Sequence, residues 1–596
     1  MPLSSSLDRV LARISARYRD DPYQLLQMLR AVQASYSHVP PAAIDFFARH
    51  LRLPHSQVQG VVEFYAFLHE VPRGRYDIRF SDNITDQMLG SRGLMNRLCE
   101  RLGVKPGVPR RDGSVTVDLT SCTGMSDQGP AAMVNGLAVT RLDATRIDEM
   151  ADLVDAGIAL EAWPRDWFAV RDNIRRTGPM LDLHMTPGAA LKAAIARGAA
   201  STLSELSRSG LRGRGGAGYL TAHKWRFCME APGVQRFVVC NADEGEPGTF
   251  KDRVLLNRFS GELFEGMALA GFVVGARQGF LYLRGEYEYL LPHLEAVLER
   301  CREEGLLGSN LFGSGFDFDI SIHLGAGAYI CGEESALIES LEGKRGQARV
   351  RPPFPAVRGY ADKPTVVNNV QTFIQAAQVA AMGSAWFSSL GTEKSRGTVL
   401  LSISGDVPKR GIYEYPFGVS IGEVLGDCGA TAVQAIQIGG PSGHLIGASE
   451  FHRKIAFEDL PTTGSLMVFD WTRDVVAVVQ NFARFFQHES CGFCTPCRVG
   501  TTVMRQLIDK VVEGKATTAD LNEMESAGQV TRALSHCGLG QTAPNPMLDA
   551  LAHFRAAFEA RIHDGGGDPG FDLDAELSEA RSMFGADVAK EGHHGG

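Results

Sequence analysis

Residues 209–219 read Ser-Gly-Leu-Arg-Gly-Arg-Gly-Gly-Ala-Gly-Tyr, with five glycines among the nine positions from Gly210 to Gly218. Glycine reaches positive φ without a Cβ penalty, and so bare a backbone lets amide N–H groups converge on an anion. Arg212, Arg214 and the downstream Lys224 add positive charge. The pattern Gly213-x-Gly215-x-x-Gly218 formally satisfies a dinucleotide fingerprint, but that fingerprint needs an apolar strand before it, and residues 201–209 are polar. The strand comes afterwards, where Phe237-Val238-Val239-Cys240 runs into Asn241-Ala242-Asp243-Glu244-Gly245-Glu246. Ligands of open α/β sheets sit beyond the carboxyl ends of strands. The glycine stretch is therefore read as a flavin phosphate loop, and Asn241, Asp243 and Glu244 as hydrogen-bonding partners of the ribityl hydroxyls.

Two further segments repeat strand, turn and helix. One begins at Gly279-Phe280-Leu281-Tyr282-Leu283; the other is Ile320-Ser321-Ile322-His323-Leu324 followed by Gly325-Ala326-Gly327-Ala328-Tyr329-Ile330-Cys331-Gly332-Glu333-Glu334. Tyr329 offers a face for an aromatic ring, and His323 is read as a core residue.

Near the C-terminus, Val475, Val478, Val479, Phe482, Phe485 and Phe486 recur at helical spacing. That helix leads into Cys491-x-x-Cys494-x-x-Cys497, and Cys537 lies further on. Three thiolates at this spacing suit three corners of an iron–sulfur cube, with the fourth ligand from elsewhere. Structural zinc is the alternative, although zinc sites more often pair two Cys-x-x-Cys knuckles. The other cysteines, at 99, 228, 240, 301, 331 and 428, show no ligand spacing and are read as packed. The odd count of 11 fits reduced thiols better than a disulfide framework.

The chain has 596 residues, enough for several domains, and 60 Lys and Arg against 69 Asp and Glu, a formal charge of −9. That balance argues against nucleic acid or an anionic membrane as the main partner. No apolar run reaches the ~20 residues needed to span a bilayer, and no signal-peptide core opens the sequence, so a cytoplasmic location is expected.

The first 68 residues are patterned as helices, followed by a strand at Tyr76-Asp77-Ile78-Arg79-Phe80, a helix from about 90 to 102, and a strand at Val115-Thr116-Val117-Asp118-Leu119. Through Val62-Glu63-Phe64-Tyr65 and Cys122-Thr123-Gly124-Met125-Ser126-Asp127-Gln128-Gly129-Pro130, residues 1–150 resemble the thioredoxin-like ferredoxin subunit of respiratory NADH dehydrogenases. That family holds a two-iron cluster with four cysteines, but the matching positions here are Ser81, Asp86, Cys122 and Ser126. One thiolate does not hold such a cluster, so this module is expected to be a scaffold without metal.

The glycine loop, the turn at 241–249, residues 325–334, Lys344-Arg345-Gly346, Pro352-Pro353-Phe354-Pro355 and Val367-Asn368-Asn369-Val370 stand in the order found in the flavin- and NADH-binding subunit of respiratory NADH dehydrogenase and its hydrogenase relatives. By that resemblance Gly213, Gly215, Gly216, Lys224, Asn241, Asp243, Glu244, Tyr329, Gly332, Glu333, Asn368, Asn369 and Thr372 line FMN. Tyr219, Lys224, Glu246, Glu334, Lys344 and Phe354 face NAD(H), with Glu334 orienting the nicotinamide as the one catalytic candidate. Cys491, Cys494, Cys497 and Cys537 hold a 4Fe-4S cluster.

The expected organisation is a multidomain α/β protein: a helical lead and thioredoxin-like module (1–150), a linker (151–185), the FMN- and NADH-binding α/β domain (186–395), a β-grasp domain (396–470), a helical bundle with the cluster (471–563) and a flexible tail (564–596). The fusion is similar to diaphorase subunits of NAD-reducing nickel–iron hydrogenases. It implies a small iron–sulfur diaphorase subunit and a hydrogenase heterodimer with the nickel–iron site as partners. The flavin subunit of an NAD-dependent formate dehydrogenase or of respiratory NADH dehydrogenase is the alternative, and a redox-inactive structural subunit is the reading from another class.

Overall fold

The structure is a computed structural model that describes residues 6–563. The tail expected at 564–596 lies outside the described residues.

The central domain is built on a four-stranded parallel sheet, in spatial order Asp319–Leu324, Gln278–Leu283, Phe237–Ala242 and Thr365–Asn369. A parallel sheet must be covered on both faces, and side chains alternate accordingly. Val238, Cys240, Leu281 and Leu283 face a core shared with the helices Ser260–Val274 and Val370–Met382. Phe237, Val239, Phe280 and Tyr282 face the other way, onto Leu25, Leu29, Val32, Phe47 and Val58 of the N-terminal helices. The helical lead thus completes the flavin sheet and shares its core with that domain rather than with the module that follows it.

That module has its own sheet, in spatial order Val115–Thr120, Tyr76–Ser81, Ala132–Val134 and Leu137–Val139. Asn135 and Gly136, both at positive φ, close its last hairpin, as a two-residue turn between twisted strands requires. The stretch expected as a linker is packed. Trp163 and Trp167 are buried in the module's core, and Ile174–Arg176 pairs with Gly411–Pro416 at the edge of the next sheet.

In that six-stranded sheet Thr398–Gly405 runs parallel to Ser465–Asp470. Helix Ile421–Cys428, started by a Ser420/Glu423 capping box, packs Ile421, Val424 and Leu425 into its core. The C-terminal bundle opens with Val475–Glu489, whose Val475, Val478, Val479, Phe482 and Phe486 are buried as the stripe predicts. Phe485 instead lies edge-on to Tyr329, with ring centroids 5.0 Å apart.

Candidate functional site

All four strands of the central sheet end on one side, and the expected loops follow them. The glycine stretch lies between helices Ala199–Ser209 and Thr221–Glu230, with no strand before it. It is closed by Gly213 N–H donating to Tyr219 O (2.8 Å). Gly216 sits at φ +122° and Gly218 at +62°, where a Cβ on Gly218 would come within 2.4 Å of Phe457. Arg214 departs from the sequence reading. Its guanidinium is buried, donates from Nε to Gln375 Oε1 (2.8 Å) and from Nη2 to Arg396 O (2.8 Å), and lies 4.7 Å from the Phe417 ring centre. Burial lowers its pKa to about 9. Arg214 therefore bolts the loop to the β-grasp domain and offers no charge to a phosphate, while its amide donates to Thr372 Oγ1 (2.9 Å).

Around the sheet ends, Asn241 Nδ2 donates to Gly332 O (2.8 Å), and Asn241 Oδ1 accepts from Asp243 N–H (3.1 Å). Trp225 Nε1 donates to Asn368 Oδ1 (2.8 Å), and Asn369 caps helix Val370–Met382 while donating to Asp252. Gly215 approaches Asn369, whose Cβ would lie 3.3 Å from an added side chain. Lys224 Nζ bonds Glu334 Oε2 (2.7 Å) and Val367 O (3.0 Å).

Four expected contacts are turned elsewhere. Glu244 accepts from the amides of Asp252 (2.8 Å) and Arg253 (3.1 Å) and from Tyr287 OH (2.8 Å), so it caps helix Lys251–Arg258, and burial pushes its pKa up to about 7. Glu333 caps helix Glu334–Leu341 through Ser335 and Ala336. Glu246 accepts from Tyr329 OH (2.6 Å) and Ser442 N–H (2.8 Å), with burial again raising its pKa to about 7. Lys344 pairs with Glu342 (2.8 Å) and Glu339 (3.4 Å). In contrast, the aromatic rings of Tyr219 and Phe354 stand 48% and 54% exposed, free to meet a ligand. His323 is buried as expected; its ring stacks on Tyr282, burial lowers its pKa to about 3, and Nε2 has no partner.

Cys491, Cys494, Cys497 and Cys537 line one pocket with Ile330, Ala348, Phe493 and Leu539. Cys494 stands at the head of helix Thr495–Val512, whose N-terminal dipole favours thiolate. Burial, with the other three thiols adding, pushes Cys497 up to about 12.

Sequence reasoning missed Glu489. Its half-buried carboxylate accepts from Ser121 Oγ (2.6 Å) and Tyr329 N–H (2.9 Å), tying the thioredoxin-like module and the flavin loop to the base of the cysteine motif. A lone acid closing an apolar helical stripe was the available signal.

The four positions that correspond to cluster ligands in the thioredoxin-like ferredoxin family also converge. Ser81 Oγ donates to Asp86 Oδ2 (2.8 Å), Asp86 Oδ1 accepts from Ala131 N–H (3.0 Å), and Asn83 Nδ2 donates to Ser126 Oγ (2.9 Å) and approaches Cys122 Sγ (3.6 Å). All five side chains are buried, and burial raises Asp86 to about 7. The module is locked in place by the fully buried Arg253–Asp127 ion pair (3.0 Å) and by Arg284 Nη2 donating to Cys122 O (2.6 Å).

The residues fit both cofactors. Asp243 Oδ2 is buried without a hydrogen-bond partner, and burial holds this carboxyl well above its usual range. A hydroxyl-rich ligand such as the ribityl chain would supply the missing partner. Among the described residues no three Cys, His, Asp or Glu are gathered for a single metal ion, although four thiols share one pocket. Four thiols on one apolar-walled pocket are the donor set that an iron–sulfur cube takes.

Fold and site together define a flavin- and iron–sulfur-bearing subunit of an NAD(H)-dependent oxidoreductase. Three family models match: Thioredoxin-like [2Fe-2S] ferredoxin over residues 11–155, Nuo51 FMN-binding domain over 206–378, and NADH-ubiquinone oxidoreductase-F iron-sulfur binding region over 477–561. The chain belongs to the family of the alpha subunit of NAD-reducing hydrogenases. It is 40% identical over 587 residues to NAD-reducing hydrogenase HoxS subunit alpha of Cupriavidus necator, covering 96% of this chain and 98% of that protein. It is 42% identical to NADP-reducing hydrogenase subunit HndC of Solidesulfovibrio fructosivorans, over 61% of this chain and 76% of that one. A solved NAD+-reducing [NiFe]-hydrogenase in the H2-reduced state contains a chain similar at TM-score 0.88 and 45% identity, over 94% of this chain and 96% of that one. Among the described residues no helix is long and apolar enough to cross a membrane.

Proposed function

We propose that this chain is the diaphorase subunit of a cytoplasmic complex that catalyses H2 + NAD+ = NADH + H+, working beside a small iron–sulfur subunit and a nickel–iron hydrogenase heterodimer. The near full-length similarity to a subunit of NAD-reducing hydrogenase supports this reading. Bound FMN supplies the exchange between a hydride and single electrons. The chain's residues hold and orient. Gly213, Gly215 and Gly216 cradle the flavin phosphate, and Asn241 and Asp243 take the ribityl hydroxyls. Tyr219 and Phe354 flank the nicotinamide nucleotide, and Glu334, steadied by Lys224, orients the nicotinamide. Cys491, Cys494, Cys497 and Cys537 hold the 4Fe-4S cluster.

One observation carries the reading: the flavin wall and the cluster wall are back to back. Within one loop Tyr329 N–H bonds Glu489, two residues before Cys491, and the next residue, Ile330, lines the cysteine pocket. A flavin held against Tyr329 would lie beside the residues that would hold the cluster.

The test is a Gly216→Val chain, because a β-branched residue is strained at φ +122° and its Cβ would lie 3.1 Å from Thr463. FMN is expected to be lost, and NADH no longer reduces the cluster while dithionite still does, read by electron paramagnetic resonance. Reduction of the cluster by NADH in the flavin-free variant would contradict the proposed path.

A further inference from the structure

The N-terminal helices do more than cover the flavin sheet. Four consecutive carbonyls at the start of the glycine-rich loop accept hydrogen bonds from the lead: Leu324 O from Gln27 Nε2 (2.8 Å), Gly325 O from Arg30 Nη1 (2.7 Å), Ala326 O from Phe67 N–H (3.0 Å) and Gly327 O from Ala66 N–H (3.2 Å). A loop rarely has every carbonyl in a row satisfied by one distant segment. In a planar trans peptide the N–H points opposite to the C=O, so the amides of Ala326, Gly327 and Ala328 face away from the lead. None of the three donates to an acceptor among the described residues. Gly327, at φ +76°, is pressed onto the Phe67 ring, where a Cβ would lie 2.7 Å away. At the far end of the same wall, Tyr65 OH bonds Ser340 Oγ (2.7 Å) and Lys344 O (2.9 Å).

We propose that the N-terminal helical segment is the template that shapes the glycine-rich wall of the flavin site, and that Arg30 is its positioning residue. The inference rests on the reading of residues 325–334 as a wall of the FMN site. Arg30 is suited to the task because its side chain is only 14% exposed and its Nη2 is fixed by Glu288 at 2.8 Å, leaving Nη1 aimed at Gly325 O. The lead turns the loop's carbonyls outward, and the amides are thereby presented inward. A loop without that template is free to rotate these peptides and loses the amides that a flavin would meet.

The test uses the full chain, with FMN stripped and re-added, and reads flavin affinity by fluorescence together with iron content and thermal midpoint. Arg30→Ala is expected to raise the FMN dissociation constant about tenfold, the worth of one charged hydrogen bond, with iron per chain unchanged. Arg30→Lys, which still reaches Gly325 O, is expected to bind FMN several-fold better than Arg30→Ala. Glu288→Gln, which removes the charge but whose amide oxygen still accepts from Nη2 and keeps Nη1 on Gly325 O, should bind like wild type. Where Arg30→Ala does not accumulate as folded protein, Gln27→Leu takes its place, with a weaker loss of affinity expected. Wild-type affinity in Arg30→Ala or in its substitute overturns the positioning role. So does a loss that comes only together with iron, or an equal loss in Glu288→Gln. A wild-type chain without FMN affinity overturns the flavin assignment itself.

Discussion

The surroundings of Cys491 and of Cys122 lie within regions that match two iron–sulfur family models, and their chemistry differs. In the first, four thiols line a cavity with apolar walls. In the second, Ser81, Asp86, Cys122 and Ser126 close on one another, with Asn83 as the bridge between Cys122 and Ser126. Most of these buried polar atoms pair with one another, and an unpaired buried polar group costs far more than a paired one. The thioredoxin-like module is fastened to the flavin domain by Arg253 and Arg284.

The largest effect that separates the pockets comes from removing a thiol. Cys494→Ala should abolish the cluster signal and cut electron delivery from NADH to one-electron acceptors beyond the flavin by more than about a hundredfold. Cys122→Ala should leave iron content unchanged, and loss of iron there would place a metal in the wrong pocket.

Next is the fastening. Arg253→Met leaves Asp127 buried without its partner, a change worth roughly 3–5 kcal/mol. Hydrogen exchange should show the strands Tyr76–Ser81 and Val115–Thr120 opening more readily, while iron stays constant.

The smallest effect concerns Asp86, whose folded pKa of about 7 stands above its ordinary 3.8. The folded module therefore binds a proton that the unfolded chain releases. This stability is fully present below pH 3.8 and is lost as pH rises through about 7. Between pH 5 and 7 the module should lose roughly 2 kcal/mol, and Asp86→Asn should flatten that slope. A slope unchanged in the variant would assign it to another group.

Much of this contrast is legible in the sequence. Alternation marks Phe237–Ala242 as a strand, the stripe from Val475 marks its helix, and cysteine spacing marks the cluster. What escapes depends on distant partners. Arg214, flanked by glycines, looks like a phosphate ligand until Phe417 and Gln375 are brought to it. Glu244 and Glu333 also cap helices, a role that only their folded neighbours reveal. The lead groups in sequence with the module beside it, because no local pattern tells which sheet an amphipathic helix will cover. Trp163 and Trp167 look like linker for the same reason.

The contrast comes down to a cluster at the Cys491 motif and none beside Cys122. Iron, acid-labile sulfide and flavin analysis of the isolated full chain tests it most directly. About four irons and one FMN per chain are expected for a single 4Fe-4S cluster. About six irons, with the spectrum of a two-iron cluster, would contradict the claim.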